Sequence, residues 1–251
     1  MRIPAPVLAA ALAGVLAFRV SDASAGCTTG GLSFFPSPKS DLPANGRVIV
    51  EGDGELEPTV RGLGDDTLIL ATDGDAIPLH VVAIQHGGWR VSQAILAPTR
   101  PLTPGLRYAL RASAQGSPLD ERLRNAWRVP AWKAADALSS SPRWTAPPAR
   151  AVPVVGRGCP PHAYVSVRVP VESPEHLLGV VAEVRPLLRG AKPSRFLVPV
   201  YDGAIALGHT GCSAPILLTA DVPHLVTLTA VDLAGHETPA PGGVLVIKGP
   251  S

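Results

Sequence analysis

Aromatic residues are scarce in this chain, at 4% of 251 residues. Charged side chains are few as well, at 17%, and there is a single methionine. A core must therefore be filled mostly by Ala, Val and Leu. Long helices are excluded next, because 28 prolines and 25 glycines run through the whole sequence and interrupt any helical period. They are spread rather than clustered, which also excludes a low-complexity tract. The net charge is only +2, and no basic stripe interleaved with aromatics is present, so nucleic-acid binding is set aside. Catalytic signatures are missing too. There is no G-x-S-x-G elbow, no phosphate-binding loop and no G-x-G-x-x-G. His236-Glu237 opens like a zinc-protease motif, but Ala240 stands where the second histidine is needed and Pro239 would break the helix. No cofactor is implied.

What the sequence does have begins with an address. Arg2 is a short positive region, Val7 to Phe18 is an apolar run, and Ala23-Ser24-Ala25 is an A-x-A cleavage signal. Residues 1–25 read as a cleaved signal peptide, the run being too short for a stable membrane anchor of about 20 residues. The chain is therefore expected in the periplasm, at the cell surface or outside the cell. Ser24-Ala25-Gly26-Cys27 also resembles a bacterial lipobox. Two processing routes follow: ordinary secretion, which the spacer Arg19 to Ser24 favours, or lipidation at Cys27, the one route to a membrane.

Three cysteines remain after export to account for. Cys159 and Cys212 lie in the same half of the chain, and an oxidising compartment makes a disulfide between them the leading expectation. A competing reading takes Cys159, His162, His209 and Cys212 as C-x2-H and H-x2-C half-sites for zinc. Oxidation would remove both thiolates, so the disulfide is preferred and no metal ligand is assigned.

Along the chain, short apolar runs alternate with turns. Val48 to Val50, Thr67 to Ala71, Ile77 to Ile84, Trp89 to Ile95 and Leu106 to Ala112 read as strands, and Thr59-Val60 as a further extended piece. Lys133 to Leu138 suggests one helical turn. Ser139 to Pro153 has the composition of a linker, with Pro147-Pro148 as a semi-rigid spacer and Trp144 expected to cover a seam between domains. Ala163 to Val171 alternates most clearly. Leu177 to Val184 fits a buried strand better than a helix. Leu225 to Val231, the break Asp232 to His236, and Val244 to Ile247 read as a hairpin that closes a sheet. In that break Asp232 is expected to accept backbone N–H bonds.

The segments LPANGRVIV and LAPTRPLTPGLRYALRA, over roughly residues 36–130, resemble bacterial Ig-like domains of exported proteins. TLTAVDLAGHETPAPG resembles the last hairpin of Ig-like and fibronectin-III-like repeats. The resemblance implies an all-β chain of two tandem Ig-like sandwiches: a first domain over 26–132, a linker over 133–152 and a second domain over 153–251. It names a scaffold and no chemistry. The acidic turns at Asp53 and Glu55, Asp65-Asp66, and Asp73 and Asp75 fall short of a calcium loop and read as solvated. The functional expectation is a non-enzymatic envelope or surface protein that binds, spaces or supports, with a protein or glycan partner at the cell surface. The alternative is an accessory binding-domain pair of an extracellular hydrolytic system. A row of exposed Trp89, Trp132 and Trp144 would favour its glycan-binding form.

Overall fold

The computed structural model describes residues 30–116, 118–125, 130–156, 162–210 and 214–251. Among them the β-branched and alternating runs form fifteen strands, and the chain is all-β. The first sandwich uses β1 (Leu32–Phe35), β2 (Leu42–Pro43), β3 (Val48–Asp53), β4 (Leu68–Thr72), β5 (Asp75–His86), β6 (Val91–Pro98), β7 (Arg107–Ala112) and β8 (Ala131–Ala135). Their order is β1-β3-β6-β5-β4-β7-β8-β2. β5 is the fold line: Asp75–Pro78 pair with β4, and Leu79–His86 pair with β6. One long strand thus serves two layers, which enclose Val48, Leu70, Leu96, Tyr108, Leu110 and Trp132. β7 alternates, with Tyr108, Leu110 and Ala112 buried and Arg107 and Arg111 exposed.

Two local expectations change. Thr59-Val60 belongs to a helix, α1 (Glu57–Arg61), with Pro58 in its first turn, where proline's missing N–H costs nothing. Lys133 lies in β8 rather than a helical turn, because Trp132 and Ala134 are buried while Lys133 faces out, a period of two. A second helix, α2 (Pro118–Asn125), follows β7.

The second sandwich contains β9 (Ala149–Gly156), β10 (His162–Arg168), β11 (Leu177–Pro186), β12 (Ser194–Val198), β13 (Ala204–Thr210), β14 (Pro223–Asp232) and β15 (Glu237–Lys248). One sheet is ordered β13-β10-β9 and the other β12-β11-β14-β15. Val165, Val167, Val180, Phe196, Leu207 and Leu228 fill the space between them. Leu177 to Val184 is a strand, as expected, and β14 and β15 form the expected antiparallel hairpin.

Both sandwiches turn one corner in the same way. Tyr108, second residue of β7, accepts the Thr103 N–H on its hydroxyl at 3.1 Å. His224, second residue of β14, accepts the Thr219 N–H on Nε2 at 3.2 Å. Its Nδ1–H donates to the Val222 carbonyl at 2.8 Å, which fixes the neutral tautomer. Burial holds this imidazole below its ordinary range, against the pull of the Val222 bond. A ring thus caps the N–H five residues upstream in each half, the arrangement called a tyrosine corner when the ring is Tyr. Tyr108→Phe is expected to cost roughly 1 kcal/mol, the net worth of one such bond. The melting temperature should fall by about 2–4 °C. An unchanged melting temperature would mean that the hydroxyl contributes nothing there.

Candidate functional site

The two sandwiches meet through a third apolar cluster. Ile49 of β3 and Ile95 of β6 pack against Leu178, Val181, Leu197, Val231 and Leu233. This cluster requires strands buried on both faces. Val48, Ile49 and Val50 are all 0–1% exposed, because Val48 and Val50 enter the first core while Ile49 enters the seam. β6 behaves likewise from Val91 to Leu96, and β11 from Leu178 to Ala182. A face of the first sandwich thus lies on the outer face of the β12-β11-β14-β15 sheet.

Polar side chains inside this seam have defined partners. Gln85 Oε1 accepts the Leu197 N–H at 2.6 Å. Gln93 Nε2 donates to the Leu197 carbonyl at 3.1 Å. β12 is an edge strand, so these two glutamines bond the backbone of a strand edge that would otherwise lie open. Gln93 Nε2 also donates to Glu51 Oε2 at 3.0 Å. Burial pushes the Glu51 carboxyl up from its ordinary 4.5 to about 7; the Gln93 bond opposes the rise and the nearby Asp53 charge adds to it.

Two further joints flank the cluster. The β5–β6 turn reaches the second sandwich, where Trp89 and Ala214 exchange backbone bonds at 3.0 and 3.3 Å. The Gly88 N–H donates to the Pro215 carbonyl at 2.9 Å, and a Cβ on Gly88 would press into Leu217. At the other end stands the β14–β15 turn. Asp232, 2% exposed, accepts the His236 backbone N–H at 2.8 Å, as the sequence leads one to expect. Its other oxygen lies 2.8 Å from His236 Nδ1. The turn so fixed presents the Leu233 carbonyl to the Arg47 N–H at 2.6 Å. Gly235 turns at φ +87°, and its missing Cβ leaves room for the Arg47 guanidinium.

A cleft of about 510 Å³ opens at the mouth of the seam, between β1 and the segment that follows β12. Phe35, Pro36, Pro174, Pro199 and Tyr201 line it. The Phe35 and Tyr201 rings meet edge-on at 6.3 Å. Tyr201 is 65% exposed, and burial, then the Glu51 charge, raises its phenol above the ordinary range. This junction sets aromatic surface on a concave wall where the two cores meet, a common form of binding site. Sequence reading missed it because its members come from distant segments. The available signal was the unbroken apolar run in Val48–Val50 and Val180–Ala182, set among strands that otherwise alternate.

The residues singled out in the sequence do not converge here. Cys27, Cys159 and Cys212 lie outside the described residues. His162 pairs with Thr210, and Ala163 with His209, so the two imidazoles leave the sheet on opposite sides. His162 stands beside Tyr164 at 5.9 Å and His209 beside Trp89 at 5.3 Å. These strands therefore do not bring both histidines to one zinc. Among the described residues, no group of three or more His, Cys, Asp or Glu side chains is placed to hold a metal. The acidic turns serve the backbone and a neighbour: Asp53 accepts the Gly31 N–H at 2.9 Å, Asp65 accepts the Val81 N–H at 2.6 Å, and Asp75 pairs with Arg100. The tryptophans do not form a row. Trp132 is 1% exposed and donates to the Pro36 carbonyl. Trp144 covers the edge of the second core rather than the seam, with its N–H on the Thr238 carbonyl at 3.0 Å.

No family model and no curated protein matches this chain. Among solved structures it aligns with a type I pullulanase of Bacillus subtilis complexed with maltose, at 10% identity and a TM-score of 0.24. The alignment covers 80% of this chain and 24% of the pullulanase. A superposition of that quality carries no argument about fold or function.

Proposed function

We propose that this chain is an exported, non-catalytic pair of Ig-like sandwiches that acts as a rigid spacer and binding module at the cell envelope. The observation that carries the reading is the seam: a buried apolar cluster and two backbone-capping glutamines join the sandwiches into one body. A spacer needs a fixed angle between its parts, and domain interfaces without such a cluster move freely. Strand order supports the Ig-like assignment. β1-β3-β6-β5 with β4-β7-β8 follows the ABED and CFG sheets of such sandwiches, and β9-β10-β13 with β11-β14-β15 follows ABE and CFG.

Small-angle scattering of the purified chain tests the spacer. The expected curve is that of one elongated body, unchanged between low and high salt. A curve that requires a flexible ensemble of two particles would overturn the reading, as would turnover in hydrolase and glycosidase screens that Glu51→Gln abolishes.

The address belongs to the same proposal. Export implies oxidised cysteines, and β10 and β13, which lead from Cys159 and toward Cys212, are paired at His162↔Thr210. Thiol counting under denaturing, non-reducing conditions is expected to find Cys159 and Cys212 blocked. Free thiols at both positions in the exported protein would end the disulfide assignment. Mass spectrometry of its N-terminus separates a free Gly26 amine from a lipidated Cys27.

A further inference from the structure

The outer face of the β13-β10-β9 sheet holds a second hollow, of about 570 Å³. Its floor is the outward row of β13, where Ala204 and Ala206 are followed by Gly208 and Thr210. Its wall is the outward row of β10, His162, Tyr164 and Ser166. The register sets them opposite one another: Thr210 to His162, Gly208 to Tyr164, Ala206 to Ser166. Small residues along one strand and rings along the next make a trough. At seven residues, β13 gives it a length of about 20 Å. Tyr201, which also faces the junction cleft, closes one end.

Two glycines shape the trough. The His162 imidazole lies against Gly156 of β9, where a Cβ would overlap the ring. Gly208 sits at φ +126°, and a Cβ there would come within 2.8 Å of the Tyr164 Cα. A side chain at either place would displace the wall. The chemistry of the lining is narrow. It offers ring surface, small apolar floor and the hydroxyls of Tyr164, Ser166, Tyr201 and Thr210, with His162 as the one titratable nitrogen donor among the described residues. Among the described residues no carboxylate, lysine or arginine lines it; Arg168, the next outward residue of β10, stands outside the hollow.

A ligand for such a trough must be elongated and uncharged, with apolar C–H faces for the rings and hydroxyls at its rim. A phosphate, an acidic glycan or a charged peptide would find no counter-charge among the described lining residues, and an apolar peptide would leave the hydroxyls unanswered. We infer that the β10–β13 trough binds a neutral oligosaccharide, with Tyr164 and Tyr201 as the stacking rings. This deepens the binding-module reading and rests on it. The glycan surface foreseen for the tryptophans is thereby moved to the tyrosines.

The test is calorimetric titration of the full chain with maltohexaose, cellohexaose and chitohexaose. At least one is expected to bind. Ala206→Trp fills the floor without removing a ring and should abolish that binding while leaving the melting temperature unchanged. Tyr201→Ala truncates an exposed side chain and should weaken it about tenfold, the scale of one lost stacking contact. Undiminished binding by Ala206→Trp would place the sugar elsewhere and overturn the trough, with the binding reading intact. No heat from any of the three sugars at about 10 mM, where even weak affinities register, would overturn the oligosaccharide assignment and leave the spacer standing.

Discussion

The Leu197→Asp chain is expected to melt in two steps where the natural chain melts in one. Leu197 is 1% exposed and belongs to the seam cluster rather than to either sandwich core. Its neighbours Phe196 and Val198 point the other way, into the second core. A carboxylate at this site would be buried among Ile49, Ile95, Val181 and Leu233. Leu→Ala at buried sites costs about 2–5 kcal/mol, and an unpaired buried charge costs several kcal/mol more. Opening the seam relieves that cost and exposes the charge to water, while both cores keep all their members. Calorimetry should therefore resolve two transitions, and small-angle scattering should show a longer, flexible particle. A single transition shifted to lower temperature would show that the seam and the second core unfold as one unit, which would sink the description of the seam as a separable layer.

The second large effect is electrostatic. Glu51 ionises near its ordinary 4.5 in the unfolded chain and at about 7 in the folded one. Between those values the folded state holds the extra proton, so stability falls as pH rises. The contribution is complete below about 4.5 and lost once pH passes 7. The full shift corresponds to roughly 3 kcal/mol, or about 5–10 °C in melting temperature for a chain of this size. The geometry gives the same sign. Gln93 Oε1 is the one buried side-chain polar atom without a partner among the described residues, and a protonated Glu51 carries an O–H donor beside it. Glu51→Gln keeps an acceptor for Gln93 and has no charge to bury. Its melting temperature should match the natural chain at pH 4.5 and exceed it at pH 8. His224 acts with the opposite sign, since its neutral ring loses the Thr219 bond as pH falls. The difference between Glu51→Gln and the natural chain cancels that term. Equal melting curves at pH 8 would show that Glu51 is solvated in the folded protein.

The fold was legible where one physical rule acted alone. Alternation marked β7, β10 and β14, because each has one face on a core. Local rules failed where tertiary burial overrode them. Lys133 sits in an alanine-rich, helix-favouring stretch, yet Trp132 beside it must reach the first core, and a strand delivers it. The two halves do not read as repeats. Still, Leu102-Thr103 precedes Tyr108 at the same spacing as Leu218-Thr219 precedes His224. The shared corner stayed hidden because an imidazole does in one half what a phenol does in the other. The junction cleft and the trough were not legible at all. Each depends on which outward row faces which, and a single sequence fixes the parity of a strand but not its neighbours. The Asp232–His236 turn, by contrast, was read correctly in its hydrogen bonding and incompletely in its purpose, since it is also where Arg47 and Leu233 join the halves.

The glutamine caps on β12 bear on how the chain is made. The second sandwich by itself would present an open strand edge beside a bare patch of Leu178, Val181, Leu197 and Leu233, a surface suited to sticking to its own copies. Synthesis delivers the first sandwich earlier, and domains fold in the order they emerge. Gln85 and Gln93 are then already in place when β12 arrives, so the first half shields the second from its own aggregation from the moment that edge exists.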